Sequence, residues 1–400
     1  MFEQIIKTNT FEPILIHKAL GSWIWDTDGK KYLDCVSGMW CVNLGHNHPK
    51  VIQATKNQLD EIIHRNKSFL TPITLKAANT VLNYMPTNFD KLTFLNSGSE
   101  AMEFAISFAK KVTKKEKVLS LQDSYLGAFG KAKESSYTSL DKTDMKIPYP
   151  VCYEESCNCL ENTQLAVDEI LDGIISQIAC FVLEPVMVSG GVFKPCSQFI
   201  QYICDKIQSD GGLIVLDEVT TGLGRTGKKF GYEHLGIKPD VVVLGKALGN
   251  GYPVSAIITT SDHEAKCSYP EFYYAQSHQL DPLGAAVAKE VISVFEKDSI
   301  IEKNQSTILE LNQFFKSLKY VFIEEVRSVG MIFALKLKNY KNYKEEELVV
   351  KIKDDLLEEG VIVGFNVAKG LLRLLPPLTL SMDEALFLMK KIKKVLEAIN

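Results

Sequence analysis

The sequence predicts an α/β fold in which a mostly parallel β-sheet is buried between helices. Short apolar runs alternate with amphipathic stretches through the middle of the 400-residue chain, and Gly, Ser, Asp or Pro bounds each run. Such short runs, without apolar–polar alternation, are typical of strands covered on both faces, and helices are the usual crossovers between parallel strands. The predicted strands are 91–95, 118–121, 180–183, 213–216, 241–244 and 256–259.

The two ends of the chain have other patterns, which divide it into three parts. Residues 19–33 predict a small hairpin. After Phe295 the pattern changes to helix, strand pair and helix, and the last helix opens with a capping box from Ser381 to Glu384. We therefore expect a small α+β domain at the C-terminus, with the N-terminal segment packed against it. The expected boundaries are an N-terminal segment at 1–50, a large domain at 51–295 and a small domain at 296–400.

The charge balance argues against a nucleic-acid-binding protein, and the short apolar runs argue against a membrane protein. The chain has 45 basic and 49 acidic side chains and a net charge of −4, so no basic surface for nucleic acid is indicated. No apolar run is long enough to cross a bilayer, and the N-terminus lacks the basic stretch and apolar region of a signal peptide. Nine cysteines in a chain of this length suit a reducing compartment rather than a disulfide framework. These features predict a cytoplasmic protein.

Three cysteines lie close together and raise the question of a metal site. Cys152, Cys157 and Cys159 share a segment with Glu154 and Glu155. A structural zinc site takes four ligands, usually at more regular spacing. We therefore predict an ordinary loop and no metal, with zinc binding as the alternative.

Polar residues fall at the carboxyl ends of the predicted strands. In a parallel sheet these ends meet at one edge, and ligands bind there. Five such groups indicate one shared site rather than separate surface positions. The groups are residues 96–100, 123–125, Glu184, Asp217 and Lys246.

Two of these residues suggest a particular kind of cofactor. Lys246 follows the run 241–244 and is flanked by glycines, and Asp217 ends the run that begins at Leu213. A lysine amine can form a Schiff base with an aldehyde, and a carboxylate can keep a pyridine nitrogen protonated. The pair would therefore suit the two ends of a pyridine cofactor. The alternative for Lys246 alone is a solvated surface lysine, since most lysines are exposed.

A short turn before a helix predicts either an anion site or a simple helix cap. Ser97, Gly98 and Ser99 precede an amphipathic helix, whose N-terminal N–H groups and nearby hydroxyls attract phosphate. A plain N-cap is the alternative for these residues. Tyr125 could lay its ring on a flat cofactor, and a packed aromatic of the core is the alternative there.

Four motifs around these residues resemble those of one enzyme family. They are Asn-Ser-Gly-Ser-Glu-Ala at 96–101, Glu-Pro-Val at 184–186, Asp-Glu-Val-Thr-Thr-Gly-Leu-Gly-Arg-Thr-Gly at 217–227 and Gly-Lys-Ala-Leu-Gly-Asn-Gly-Tyr-Pro at 245–253. The spacing of 29 residues from Asp217 to Lys246 is highly specific. In these motifs the chain resembles the class III pyridoxal-phosphate-dependent aminotransferases. The segments 25–34, 44–49 and 373–378 extend the resemblance, in order, over nearly the whole chain.

The resemblance implies a fold-type-I architecture with a large seven-stranded sheet domain, and pyridoxal 5′-phosphate as the cofactor. Lys246 would then be the Schiff-base lysine that moves a proton at the substrate, and Asp217 would pair with the pyridinium nitrogen. Tyr125 and Val219 would pack on opposite faces of the ring. The other residues implied in cofactor binding are Ser97, Gly98, Ser99 and Glu184.

The resemblance also implies a homodimer with active sites at the subunit interface. Ser277 stands where the family usually has a threonine that reaches the phosphate held by the partner subunit. A serine keeps the hydroxyl, so this departure from the family pattern is mild. Each site would then be complete only in the dimer.

The substrate side of the site departs further from the family pattern. Arg373 matches the arginine that takes a substrate carboxylate, with a surface arginine as the alternative. Many relatives carry a glutamate that neutralises this arginine, but Ser189 stands at that position here. Trp40 matches an aromatic residue that lines the pocket in the ω-transaminase branch, and core packing is its other interpretation.

These expectations predict a transaminase that moves an amino group from an amine or amino-acid donor to an α-keto acid by a ping-pong mechanism. An aminomutase, decarboxylase or racemase of the same fold is the first alternative. Acetylornithine, 4-aminobutyrate or amino-sugar substrates are alternatives within the transaminases. A non-catalytic sensor on the same scaffold is a third class, which the presence of Lys246, Asp217 and Arg373 disfavours.

Overall fold

A computed structural model describes residues 4–6, 8, 11–86, 88–139, 145–153, 158–267 and 269–400. The strands are β1 Ile16–Leu20, β2 Trp23–Asp26, β3 Lys31–Asp34, β4 Lys91–Leu95, β5 Lys117–Leu121, β6 Met145–Ile147, β7 Ile178–Leu183, β8 Leu213–Asp217, β9 Val241–Leu244, β10 Ser255–Thr259, β11 Ile323–Val329, β12 Ile332–Leu337, β13 Val361–Ile362, β14 Gly364–Asn366 and β15 Leu371–Leu374. The helices are α1 Ser37–Trp40, α2 Pro49–Glu61, α3 Pro72–Tyr84, α4 Gly98–Thr113, α5 Gly130–Glu134, α6 Cys159–Leu171, α7 Ser197–Ser209, α8 Ser261–Ala265, α9 Pro282–Lys297, α10 Ile300–Ser317, α11 Glu345–Glu358 and α12 Met382–Ile399.

The central sheet has seven strands in the order β4-β10-β9-β8-β7-β5-β6. Strand β10 is antiparallel to both of its neighbours, whereas the other neighbouring pairs are parallel. The predicted mostly parallel sheet is therefore confirmed. The sequence did not predict the edge strand β6, which has three residues and too short a run to show a pattern.

Helices cover both faces of this sheet, so every residue of β7, β8 and β9 is buried. Because side chains alternate between the faces of a strand, Phe181 belongs to the same apolar cluster as Phe199 of α7, whereas Val182 belongs to a separate cluster with Met102 of α4. Burial on both sides explains why these strands are apolar throughout. Because β7, β8 and β9 are parallel, their carboxyl ends lie at the same edge of the sheet.

Two smaller sheets join the ends of the chain. The first has the order β1-β2-β3-β13, and the second has the order β11-β12-β15-β14. The predicted hairpin is the antiparallel pair of β2 and β3, and β13 adds to it in parallel. Trp23 Nε1 donates to Glu384 Oε1 at 2.7 Å, which ties the hairpin to the capping box of α12. The division into three domains at residues 50 and 295 stays a prediction.

Two further expectations concern a membrane-spanning helix and a metal site at the clustered cysteines. No helix of the described ranges is long and apolar enough to cross a bilayer. Of the three clustered cysteines, Cys152 and Cys159 are half-buried, and Cys159 begins α6. Cys157 lies outside the described residues.

Candidate active site

The carboxyl ends of the adjacent strands β8 and β9 meet at one cavity, and the end of β7 lies close to the same residues. Asp217 ends β8, Lys246 follows β9, and Glu184 directly follows β7. The cavity has a volume of about 460 Å³. Its lining residues are Met39, Trp40, Ser97, Gly98, Ser99, Tyr125, Leu126, Gly127, Ser189, Asp217, Val219, Thr220, Lys246 and Arg373. Most of the residues singled out in the sequence therefore lie around one space, although their sequence positions span more than 300 residues.

Lys246 has an uncommon backbone conformation. Its φ of 40° lies in the left-handed region, where a residue other than glycine is strained, and such strain is often found at functional sites. Its Nζ donates to Thr220 Oγ1 at 2.5 Å. Burial lowers the pKa of the Lys246 amine, and the negative charge of Asp217 opposes this shift. The amine therefore loses its proton more readily than an exposed lysine does.

Asp217 and Glu184 are two buried carboxyl groups with different surroundings. Asp217 accepts a hydrogen bond from the Val219 N–H at 2.9 Å, and burial raises the pKa of Asp217 to about 6. Burial and the nearby Asp217 raise the pKa of Glu184 well above its usual range. Glu184 does not line the cavity, but it accepts the Tyr125 N–H at 2.6 Å. It therefore holds the loop that carries the Tyr125 ring to the cavity wall.

The N-terminus of α4 forms one end of the cavity. Ser97 caps this helix by accepting the Glu100 N–H at 3.2 Å, and Ser99 Oγ accepts the Ala128 N–H at 3.0 Å. The N-cap interpretation of Ser97 is therefore correct, and its place in the cavity lining is compatible with the anion interpretation as well. A Cβ on Gly98 would lie 2.8 Å from Val219 Cγ1, so the close approach of these two residues requires glycine.

Arg373 and Trp40 also line the cavity and lie against each other. Arg373 lies on β15, and its guanidinium donates to the Val188, Ser189 and Phe365 carbonyl oxygens at 3.2–3.3 Å. The Cζ of Arg373 lies 5.1 Å from the Trp40 ring centre, and the Nζ of Lys246 lies 4.9 Å from that same centre. Trp40 is also buried in a small apolar cluster. It therefore combines both interpretations offered by the sequence, since it packs in a core and lines the cavity.

Ser189 of the substrate hypothesis and Ser277 of the dimer hypothesis differ in their position relative to the cavity. Ser189 lines the cavity, and its Oγ lies 3.3 Å from the Tyr137 hydroxyl. Ser277 is exposed and does not line the cavity of its own chain. The cavity of this chain is therefore not lined by Ser277 of the same chain.

Sequence reasoning missed Thr220, whose hydroxyl contacts the Lys246 amine. Thr220 stands in the same motif as Asp217 and Val219, and this motif was the available signal. The direction of its side chain depends on the turn after β8, which periodicity does not give. Met39, Leu126 and Gly127 also line the cavity and carry no group that would have drawn attention.

Comparison with known proteins shows the family to which the chain is similar. The sequence model of the family described as aminotransferase class-III matches residues 6–396. An acetylornithine aminotransferase from Bacillus cereus is 31% identical, covering 98% of this chain and 98% of its own length. A leucine/methionine racemase from Thermococcus litoralis is 31% identical, covering 94% of this chain and 90% of its own length. Among solved structures, an (S)-enantioselective omega-transaminase from Thermomicrobium roseum is 25% identical with a TM-score of 0.87, covering 97% of this chain and 93% of that chain.

Proposed function

Because this chain belongs to the class III aminotransferases, which depend on pyridoxal phosphate, we propose that the cavity at the ends of β7, β8 and β9 is its active site. The enzyme moves an amino group from an amine or amino-acid donor to an α-keto acid, in two half-reactions that share one site. The observation that carries the site assignment is that Lys246 and Asp217 line the same cavity as the N-terminus of α4. These three features offer an amine, a carboxylate and an anion site in one space.

The residues around the cavity fit the cofactor. Its volume of about 460 Å³ lies within the usual range of small-molecule sites, roughly 300–1,000 Å³. Gly98 lets the start of α4 pack closely against Val219, because a Cβ there would lie 2.8 Å from Val219 Cγ1. The N–H groups of Gly98 and Ser99 begin α4, where a helix favours a phosphate. Tyr125 and Val219 supply ring and methyl surfaces at the wall.

When bound, pyridoxal phosphate supplies an aldehyde that takes up the amino group and a pyridine ring that accepts the electrons released at the substrate Cα. Asp217 would hold the proton on the ring nitrogen, because a buried carboxylate stabilises a cation beside it. Burial raises the pKa of Asp217 to about 6, so a cation at this place would also relieve the cost of its own charge.

Lys246 would form the covalent link to the cofactor and then act as a base and acid. Its lowered pKa leaves more of the amine neutral near pH 7 than in an exposed lysine, so Nζ can accept the proton from the substrate Cα and return it. Thr220 Oγ1 accepts a hydrogen bond from Nζ and therefore restricts where the amine points. The strained φ of Lys246 is retained because β9 and the turn at Lys246–Leu248 fix the backbone.

We further propose a cytoplasmic homodimer. The exposed position of Ser277 is compatible with a hydroxyl that reaches the phosphate held by the partner subunit. The nine cysteines of the sequence favour a reducing compartment. Light scattering would test the oligomeric state. A Ser277→Ala variant should still form a dimer, but it should bind the cofactor more weakly when it is loaded.

Racemisation is the second candidate function. The similarity to the racemase of Thermococcus litoralis supports it, and proton removal at Cα by Lys246 begins both reactions. Acetylornithine is the corresponding candidate substrate from the Bacillus cereus relative. The two reactions differ in their products, since a racemase releases an amino acid of inverted configuration and consumes no keto acid.

A donor and acceptor screen tests the proposal. The protein is loaded with pyridoxal phosphate and mixed with one amino donor at a time, and the loss of cofactor absorbance is recorded. A keto acid is then added, and a transaminase restores the absorbance stoichiometrically. Inversion of the donor without a keto acid would favour the racemase, and full turnover by a Lys246→Ala variant would overturn the site assignment.

A further inference from the structure

Three potential metal ligands converge beside the N-terminus of α9. They are His64, His278 and Asp281, and their ligand atoms all lie within 4.8 Å of one another. Asp281 directly precedes α9, His278 precedes it by three residues, and His64 lies in the connection between α2 and α3. Among the described residues, no other group of three His, Cys, Asp or Glu side chains is arranged in this way. None of the three lines the cavity at Lys246.

Both carboxylate oxygens of Asp281 are directed at the histidines. Oδ1 lies 2.8 Å from His64 Nδ1, and Oδ2 lies 2.5 Å from His278 Nδ1. An aspartate at an N-cap usually accepts a hydrogen bond from the first turn of its own helix, but the Asp281 side chain makes no such bond. The carboxylate is therefore committed to the two imidazole rings rather than to the end of α9.

Hydrogen bonds outside the cluster hold its two segments together. Arg65 Nη2 donates to the Gln279 carbonyl oxygen at 2.7 Å, so the residue after His64 is tied to the segment before α9. The Leu280 N–H donates to the Phe94 carbonyl oxygen at 3.0 Å, which ties the same segment to β4. The backbone positions of the three ligands are therefore set in advance. A site organised in this way loses little conformational freedom when it binds an ion.

The distances and exposures of the three side chains suit a metal ion. Zinc binds nitrogen and oxygen ligands at about 2.0–2.2 Å, so these atoms lie roughly 3.4 Å apart in a tetrahedral site. The present separations run from 2.5 Å to at most 4.8 Å and therefore bracket this value. The His64 and His278 side chains are 47% and 61% exposed, so both rings can turn toward an ion, whereas Asp281 is 13% exposed. The exposed side leaves room for a water ligand.

We propose that His64, His278 and Asp281 bind a divalent transition-metal ion of the zinc type, with water completing its coordination. Imidazole nitrogens suit zinc, nickel and copper, whereas magnesium and calcium prefer sites made of oxygen atoms. The ion cross-links the connection between α2 and α3 to the segment before α9, and so it stabilises the folded protein. This role goes beyond the aminotransferase reaction and does not depend on it.

Calorimetry with zinc chloride tests the site on the cofactor-loaded protein, purified without a histidine tag. The native protein should bind one zinc ion per subunit there, and magnesium chloride should give no binding. His64→Asn and His278→Asn should each weaken zinc binding on the order of tenfold or more, because each removes one of three protein ligands. His17→Asn is the matched control, since His17 is an exposed histidine of β1 outside the cluster, and it should change nothing. Zinc binding that is equal in all these proteins, or absent from the native one, would show that the cluster is only an ion-paired group and would overturn the proposal.

Cobalt(II) chloride reports the ligands themselves. Cobalt(II) occupies the same kinds of site as zinc, and the visible absorption of the bound ion depends on its ligands and geometry. The bands should appear with the native protein and with His17→Asn, and they should be lost in His278→Asn. Asp281→Asn keeps the shape of the side chain but removes its charge, so it should weaken cobalt binding as well. Bands that persist unchanged in both cluster variants would contradict the proposed coordination.

Thermal unfolding tests the proposed cross-link. Only the folded chain brings the three ligands together, so zinc at about one hundred times its Kd should raise Tm by about 3 °C. The rise should occur in His17→Asn and be absent from His64→Asn and His278→Asn. Circular dichroism without metal shows that each variant is folded before zinc is added. An equal rise in the control and the cluster variants would place the zinc elsewhere and would refute the site.

Discussion

The Arg373 guanidinium carbon lies 5.1 Å from the centre of the Trp40 ring, at the wall of the cavity that Lys246 also lines. The two residues come from α1 and β15, which lie near opposite ends of the chain. Their contact brings the first and last parts of the sequence to the carboxyl edge of the central sheet. It therefore places an aromatic ring and a cation together at the cavity wall.

Replacing Trp40 by phenylalanine should weaken substrate binding more than it slows the chemistry. Phenylalanine keeps a ring against Arg373 but lacks the indole N–H, so KM for a carboxylated donor should rise roughly threefold to tenfold with little change in kcat. Trp23→Phe is the matched control. That substitution removes the hydrogen bond to Glu384, so it should lower the free energy of unfolding by about 1 kcal/mol and leave KM unchanged.

Gly98→Ala should impair cofactor binding without unfolding the protein. The added methyl would lie 2.8 Å from Val219 Cγ1, so the valine must move into the space proposed for the cofactor ring. The dissociation constant for pyridoxal phosphate, measured by absorbance titration, should rise roughly tenfold to hundredfold. A Gly98→Ala/Val219→Ala double variant removes the clashing methyl groups and should recover much of the affinity. If the double variant is no better than the single one, this explanation of Gly98 is wrong.

The rate of cofactor capture should depend on pH through Lys246. Burial lowers the pKa of the Lys246 amine below its usual 10.5, and only the neutral amine attacks an aldehyde. The rate should therefore rise with pH and level off below pH 10.5. Asp217→Asn should move the midpoint to lower pH, because the charge of Asp217 raises the pKa of Lys246. Stopped-flow absorbance over a pH series gives both midpoints, and an upward shift in the variant would contradict the proposed electrostatics.

The cofactor-free protein should lose stability as Asp217 ionises. Folding raises the pKa of Asp217 from 3.8 to about 6, so the folded state favours the protonated form. This group is most favourable to folding below its unfolded pKa, and the contribution is lost as pH rises through about 6, on the order of 2–3 kcal/mol. The Asp217→Asn variant has no titrating group at this position. The free energy of unfolding of the native protein should therefore fall relative to that of the variant as pH rises through about 6. Denaturant titrations at a series of pH values measure it, and a constant difference would show that folding does not raise the pKa of Asp217.

The sequence predicted the buried strands well because burial on both faces leaves a distinct pattern. Residues 241–244 form a strand with the predicted bounds, and the run at 118–121 becomes the strand Lys117–Leu121. The strand Leu371–Leu374 was not predicted, although Arg373 on it was identified through the family motif. The sequence pattern also did not predict the order of the strands in the sheet, because that order depends on the path of the connection between each pair of strands.

The sequence indicated the charged residues of the candidate site better than the contacts of its neutral residues. Lys246 and Asp217 stand at strand ends, where a parallel sheet brings such residues together. The contact of Trp40 with Arg373 depends on packing between distant segments, and periodicity carries no information about it. Glu184 also stands at a strand end, but it does not line the cavity. It accepts a hydrogen bond from the Tyr125 backbone N–H instead, and its place at a strand end did not predict this contact.

The central claim is that Lys246 carries the cofactor, and one measurement tests it most directly. The protein is loaded with pyridoxal phosphate, reduced with borohydride, digested and examined by peptide mass spectrometry. We predict that the added mass lies on the peptide that contains Lys246, and that a Lys246→Ala variant shows neither this label nor turnover. A label on another lysine, or an active Lys246→Ala enzyme, would contradict the account.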